Sequence, residues 1–171
     1  GIRLLHNGKP MEIIVETAGE DTEQTDVLEL VHDGWAEVGI KLFTKPSQRE
    51  VFRNRIFSGE TLISIWGGFE NGLPTAGMNP AELAPTSQQS LQWPKWGQFF
   101  ETKGQAGEAP DLPKAKELAD LNGQWLVSTD DATRADIWQQ MLQIHADETF
   151  SIGIVSGVMQ PVVASGKLRN I

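Results

Sequence analysis

Met11-Glu12-Ile13-Ile14-Val15-Glu16-Thr17 decides the fold. The stretch is rich in β-branched residues and leaves a turn at His6-Asn7-Gly8-Lys9-Pro10, so it reads as a β-strand. Working outward, Asp21 is positioned to cap a helix, with Gln24 three residues on in capping-box spacing. Val27, Leu30, Val31, Ala36 and Val38 then recur near the helical period, and Gly39 supplies a left-handed stop. Ile40 to Thr44 reads as a second strand. Ser47-Gln48-Arg49-Glu50 reads as another capping box, opening a helix with Val51, Phe52 and Ile56 inward, stopped by Ser58-Gly59. Leu62-Ile63-Ser64-Ile65-Trp66 is the third strand. The order strand, helix, strand, helix, strand predicts parallel strands joined by right-handed crossovers, hence an α/β domain.

From Gly67 to about Pro110 the periodicity fails, and a loop of some 40 residues is expected there, rich in Gly, Pro, Asn, Gln and Ser. Long irregular segments of this kind are commonly functional. Two helices follow. The first has Asp111 as its cap, Pro113 in its first turn, and Leu118, Leu121 and Trp125 on one face. The second is capped at Thr129 or Asp130 and is expected to bury Ala135, Trp138, Met141, Leu142 and His145. Phe150 to Val155 and Pro161 to Ala164 read as extended.

With 171 residues, the chain fits a single domain. A hydrophobic content of 39% is enough for a core, and a net charge of -9 argues against a nucleic-acid partner, which would need clustered Lys and Arg. There is no cysteine, so disulfides, thiolate metal sites and cysteine nucleophiles are excluded. No apolar run approaches the roughly 18 residues of a membrane span. The chain opens at Gly1-Ile2-Arg3 without a signal peptide, and is expected to be a piece of a longer protein.

No phosphate loop, dinucleotide fingerprint, zinc-protease helix or serine elbow is present, and no catalytic residue, metal ligand or cofactor is assigned. His6, His32 and His145 are scattered singly, and His145, on the face of Trp138 and Met141, reads as a hydrogen-bonded packing residue. Asp130-Asp131 and Asp147-Glu148 read as helix ends.

The candidate binding element is Trp66-Gly67-Gly68-Phe69-Glu70-Asn71. It stands where a parallel strand finishes, and open α/β sheets bind ligands beyond the carboxyl ends of their strands. The glycines admit close approach to bare backbone, Trp66 offers a stacking face, and Glu70 and Asn71 offer a charge and an amide. The competing reading is a glycine turn with Trp66 packed into the core. Trp93 and Trp96, in Gln92-Trp93-Pro94-Lys95-Trp96-Gly97, are too close together in a Gly- and Pro-rich stretch for a regular amphipathic face. One is expected to anchor the loop and the other to meet ligand or a neighbouring lobe, with neither role assigned between them.

The ordered series of these segments resembles the dipeptide/oligopeptide/nickel-binding family (family 5) of bacterial extracytoplasmic solute receptors serving ABC importers. The resemblance rests on Gly8-Lys9-Pro10 before the first strand and on Val38-Gly39-Ile40-Lys41 after the first helix. It continues through Phe57-Ser58-Gly59, the Leu62–Trp66 strand with its glycine turn, and the helical pair. It closes with Phe150-Ser151-Ile152-Gly153, Gln160-Pro161-Val162-Val163 and Leu168-Arg169-Asn170.

This resemblance implies that residues 1–171 form one ligand-binding lobe, a C-terminal lobe fragment, of a periplasmic-binding-protein-like (type II) two-lobe fold. A mixed sheet flanked by helices is then expected. It also implies a periplasmic or otherwise extracytoplasmic location, no enzymatic activity, and hinge closure on a solute. The expected partners are a small-molecule solute, an ABC permease in the membrane, and the missing lobe of the same chain.

Peptide-binding members carry an aspartate in a Trp-x-x-Asp spacing that holds the ligand's amino group. Here Phe69 stands at that place, with Glu70 one residue later. The solute is therefore expected to be a peptide or an oligosaccharide. The rival classes are an α/β enzyme domain with a long active-site loop, and a lobe used for sensing or protein interaction.

Overall fold

The computed structural model describes residues 1–20, 22–68, 75–154, 165 and 167. Three strands, β1 (Glu12–Ala18), β2 (Lys41–Ser47) and β3 (Ile63–Ser64), form a sheet of order β2-β1-β3. Both pairings are parallel, with Glu12 opposite Lys41 through Ala18 opposite Ser47, and Val15 opposite Ile63. The two crossovers are helix α1 (Thr22–Glu37) and helix α2 (Arg49–Ser58). Because β2 and β3 flank β1 on opposite sides, crossovers of one hand must place their helices on opposite faces of the sheet.

The side chains show this. Val15 and Leu42 pack with Leu28 of α1, joined by Ile13, Val31, Trp35 and Ile63. Ala18, on the other face of β1, packs with Phe52 and Ile56 of α2. Ile14 and Phe43, cross-strand partners on the α2 face, stay partly exposed because α2 covers only the end of the sheet nearer the strand tips.

The strand-helix alternation is as expected, but several details differ. The inward face of α1 is Leu28, Val31 and Trp35, whereas Leu30 is 75% exposed and Val38 lies outside the helix. The expected cap Asp21 lies outside the described residues, and Gln24 accepts a hydrogen bond from the Thr17 hydroxyl at 2.8 Å. β2 runs on to Ser47 through Pro46, which an edge strand tolerates because a missing N–H there need not break a ladder. Ser47 is thus strand, and the cap of α2 is Gln48, whose side chain makes no capping bond. β3 has ladder pairs only at Ile63 and Ser64, extended by the Ile65 N–H to the Glu16 carbonyl at 3.1 Å. Gly39 and Gly59 close α1 and α2 at φ 81°, the left-handed conformation that glycine takes without steric cost.

The larger correction lies in the expected loop. A short 3-10 helix (Pro80–Leu83) and helix α3 (Pro94–Glu101) occupy part of it, and Trp96 lies within α3. Pro94 and Gly97 read as helix breakers, yet Pro is favoured in a first turn, where its missing N–H has no intrahelical partner to lose. Gly97 is needed because a Cβ there would collide with the backbone of Ser87 and Gln88.

Helices α4 (Pro113–Val127) and α5 (Asp131–Glu148) form the second body of the core. Leu118, Leu121 and Trp125 pack on Ile137, Met141 and Ile144, together with Leu83 and Ala84. The cap of α4 is Leu112 rather than Asp111. The Asp130 carboxylate accepts the Thr133 N–H at 2.8 Å, capping α5 as expected and holding the Asp130 carboxyl below its usual range. The buried face of α5 is rotated from the expected one: Ala135 and Leu142 are exposed, and Ile137 and Ile144 take their places. Ser151–Ile154 form no strand, and the rest of the expected closing extended segments, Val155 and Pro161–Ala164, lies outside the described residues.

Candidate functional site

The carboxyl ends of the three strands deliver Ala18, Ser47 and Ser64 to one edge of the sheet, and the chain then continues as Gly19-Glu20, Gln48-Arg49 and Ile65-Trp66-Gly67-Gly68. Phe52, fully buried under the sheet, carries the Trp66 ring stacked on it at 5.5 Å and 23°. The Arg49 guanidinium stands 5.5 Å from the Trp66 ring centre. Trp66 nevertheless keeps 38% of its surface open to solvent. It is neither sealed in the core nor free, but an aromatic plate backed by a core residue and flanked by a cation. Gly67 and Gly68 follow it, exposed, and among the described residues a Cβ on either would meet nothing within 4 Å.

Glu20 and Arg49 form the polar border of this edge. The Glu20 carboxylate pairs with the Arg49 side chain at 3.3 Å and also accepts the Arg49 backbone N–H at 3.3 Å, in place of a side-chain cap on α2. An open groove of about 810 Å³ runs beside them, bordered by Glu50, Arg53 and Phe57 as well. Both signs of charge line it, so it can meet a zwitterionic or hydroxyl-bearing molecule with donors and acceptors together.

Beneath this edge, Glu16 in β1 is only 5% exposed, and its carboxylate accepts two hydrogen bonds from Arg55 of α2 at 2.7 and 2.9 Å. Lys45 adds a third contact at 3.6 Å. The Arg55 bonds hold the Glu16 carboxyl below its usual range, although burial opposes them.

Trp93 and Trp96 lie in a different cluster. Trp93 packs against the α4–α5 core, edge-on to Phe150 at 5.1 Å and 5.9 Å from the His145 ring. Trp96 stacks on Trp93 at 5.9 Å. The structure thus keeps Trp66, Gly67 and Gly68 together, and no ring contact joins Trp66 to Trp93 or Trp96 among the described residues. Phe69, Glu70 and Asn71 lie outside the described residues.

Sequence reasoning missed Arg49 and Glu20 as parts of this edge. Their one signal was that each stands two residues beyond a strand end, and Arg49 was read only as part of a cap. Among the described residues, no group of three or more His, Asp or Glu side chains gathers as a metal would need. No helix among them is long and apolar enough to cross a membrane.

No family model matches the sequence. No curated protein matches it either. Solved structures do. The chain is similar to an oligopeptide-binding protein, OppA, at TM-score 0.70 and 19% identity, covering 87% of this chain and 25% of the other. It is similar to NikA from Brucella suis, solved with Fe(III)-EDTA, at TM-score 0.57 and 20% identity, covering 84% of this chain and 26% of the other. It is also similar to the periplasmic binding protein MelB from Agrobacterium fabrum C58, solved with stachyose, at TM-score 0.66 and 18% identity, covering 87% and 21%. The chain therefore spans about a quarter of the length of these proteins. Its α/β architecture, three parallel strands with helices on both faces and a helical hairpin beyond, is the periplasmic-binding-protein type of fold that a portion of each of these solute-binding proteins adopts.

Proposed function

We propose that the chain is one lobe of an extracytoplasmic solute receptor for an ABC importer, gripping its ligand in a cleft that a second lobe of the same polypeptide completes. One observation carries this reading: at the strand tips, Trp66 is stacked on buried Phe52 with over a third of its surface open, and two exposed glycines follow. A rigid aromatic face next to bare backbone N–H and C=O groups can hold a small solute by stacking and main-chain hydrogen bonds. Strand tips are also where sheets of this class take their ligands. The likeness to three solute-binding proteins supports the reading and favours a binding protein over an enzyme.

The mechanism is hinge closure. Solute bound to this lobe adds contacts with the other lobe only when the two approach, so it binds the closed form better and shifts the population toward it. The closed receptor then docks on a membrane permease. The solute is a peptide, with Glu70 in the role of the missing Trp-x-x-Asp aspartate. A second reading, an oligosaccharide, is favoured by the exposure of Trp66, against whose indole the C–H groups of a sugar ring can pack.

Calorimetry of the full-length polypeptide against short peptides and against stachyose tests the proposal. Saturable heat with one of the two, weakened in Trp66→Ala, is the expected result. Heat with neither, alongside turnover in a hydrolase panel, would transfer the chain to the enzyme class.

A further inference from the structure

Helix α2 carries Arg49, Arg53 and Arg55, and their charges are committed differently. Arg55 holds Glu16 and Glu60, each at 2.7 Å, and Arg49 holds Glu20 at 3.3 Å. Arg53 forms no ion pair with the described residues, although Glu50 stands three residues before it on the same helix. Its guanidinium is instead held over the Phe57 ring at 5.3 Å, and Nη2 donates to Gln89 Oε1 at 2.6 Å. Gln89 is itself fixed: its N–H donates to the Ser87 hydroxyl at 3.2 Å, and that hydroxyl donates to Glu101 of α3 at 2.7 Å. A half-buried cation is thereby held in place from α2 and from the segment leading into α3, with no counter-charge among the described residues.

A guanidinium offers five N–H donors in a rigid fork. Gln89 takes one, and stacking on Phe57 uses the flat face rather than the edge. Donors therefore remain for a planar acceptor such as a carboxylate, which takes two at once.

Arg49, Arg53 and Phe57 recur at intervals of four, which sets them in a row along one face of α2. All three border the open groove at the strand tips. Arg49 also stands 5.5 Å from the Trp66 ring centre. The groove thus leads from the Trp66 edge to Arg53, one helical turn on and about 6 Å along the axis.

We propose that Arg53 is the subsite for a carboxylate of the solute, which makes that solute a carboxylate-bearing molecule, a peptide with a free C-terminus or a sugar acid. This rests on the reading of the Trp66 edge as the solute site. A neutral solute would leave the guanidinium unanswered when closure of the lobes drives water from the groove, and an unpaired charge costs most where water is excluded. A carboxylate removes that cost. Arg53 thereby separates solutes that Trp66, against which many apolar or flat groups can pack, does not separate.

The test measures affinity by calorimetry in the full-length polypeptide. One probe pair is trialanine and its C-terminal amide, another is trigalacturonate and its methyl ester, and stachyose serves as a neutral sugar. Wild type is compared with Arg53→Gln, and with Arg53→Lys, which keeps the charge and loses the fork. In one of the pairs, the acid is expected to bind wild type about 10- to 100-fold more tightly than its uncharged derivative. Arg53→Gln should abolish that preference by weakening the acid alone, and Arg53→Lys should keep part of it. The pair that responds identifies the source of the carboxylate. Binding without preference for the acid, or tight binding of stachyose that Arg53→Gln leaves unchanged, overturns the proposal while the receptor reading stands. So does an equal loss for acid and derivative in Arg53→Gln, which would place Arg53 against the other lobe instead. The acid preference of wild type is read without any variant, so a misfolded variant does not remove the test. A wild-type protein that binds none of the probes overturns both readings.

Discussion

The Arg55 guanidinium of α2 grips the Glu16 carboxylate of β1 with two hydrogen bonds, at 2.7 and 2.9 Å, and ties the second crossover helix to the central strand. Glu16 is the one buried carboxylate among the described residues, and a buried charge is tolerable only when its lone pairs are occupied. Replacing it by glutamine keeps the shape and removes the charge. Charge-assisted bonds are worth roughly 1.5–3 kcal/mol, so Glu16→Gln is expected to lower unfolding free energy by about 2 kcal/mol in urea titrations. A change below about 0.5 kcal/mol would show that solvent already screens the pair.

The same pair fixes a pH dependence. The Glu16 carboxyl is depressed in the folded protein, so its contribution is fully present above the unfolded glutamate value. It is lost as the pH falls through the lower, folded value. The stability difference between wild type and Glu16→Gln should therefore be flat from neutral pH to about 5 and shrink below that. A difference that grows on acidification would reverse the sign and refute the assignment.

Two glycines predict opposite outcomes for one substitution. A methyl group on Gly97 of α3 would run into the Ser87 backbone, so Gly97→Ala should cost about 1–3 kcal/mol through displacement of α3. Gly123 lies exposed in α4 with nothing within 4 Å of its added Cβ. Gly123→Ala should stabilise by about 0.4–1 kcal/mol, because alanine loses less backbone freedom on folding. Thermal melts of the two variants should move in opposite directions.

Asp130→Ala removes the carboxylate that caps α5. Its melting temperature should fall, and Asp130→Asn, which can still accept the Thr133 N–H, should recover most of the loss. Equal losses in both variants would show that helix-dipole charge, rather than the hydrogen bond, carries the effect.

How much of this was legible in the sequence differs from element to element, for physical reasons. The strands were, because β-branched runs bounded by turn residues have few other solutions. Helix phase was less so: in α1, apolar residues surround the helix, so a set through Val27, Leu30 and Val31 fits the helical period about as well as the set Leu28, Val31 and Trp35 that meets the sheet. In α5, Trp138 and His145 sit at the rim of the buried face because their N–H groups reach the 78–83 segment, and Ile137 and Ile144 fill the centre instead. Helix α3 was hidden by Pro94 and Gly97, since the collision that makes Gly97 necessary is a tertiary contact with Ser87. At the candidate site, the position of Trp66 and its glycines just beyond the third strand could be read from strand order alone. The Glu20–Arg49 pair could not, because its two members are brought together only by strand register.

The most direct measurement is the set of indole N–H resonances of the ¹⁵N-labelled full-length protein during titration with the solute it binds. Trp66 stands at the strand tips, while Trp35 packs under the opposite face of the sheet with Leu28 and serves as an internal reference. The account predicts that the Trp66 signal shifts in step with occupancy and that the Trp35 signal stays in place. Saturable binding with the Trp66 signal unmoved would contradict it, because the solute would then lie somewhere other than against that ring.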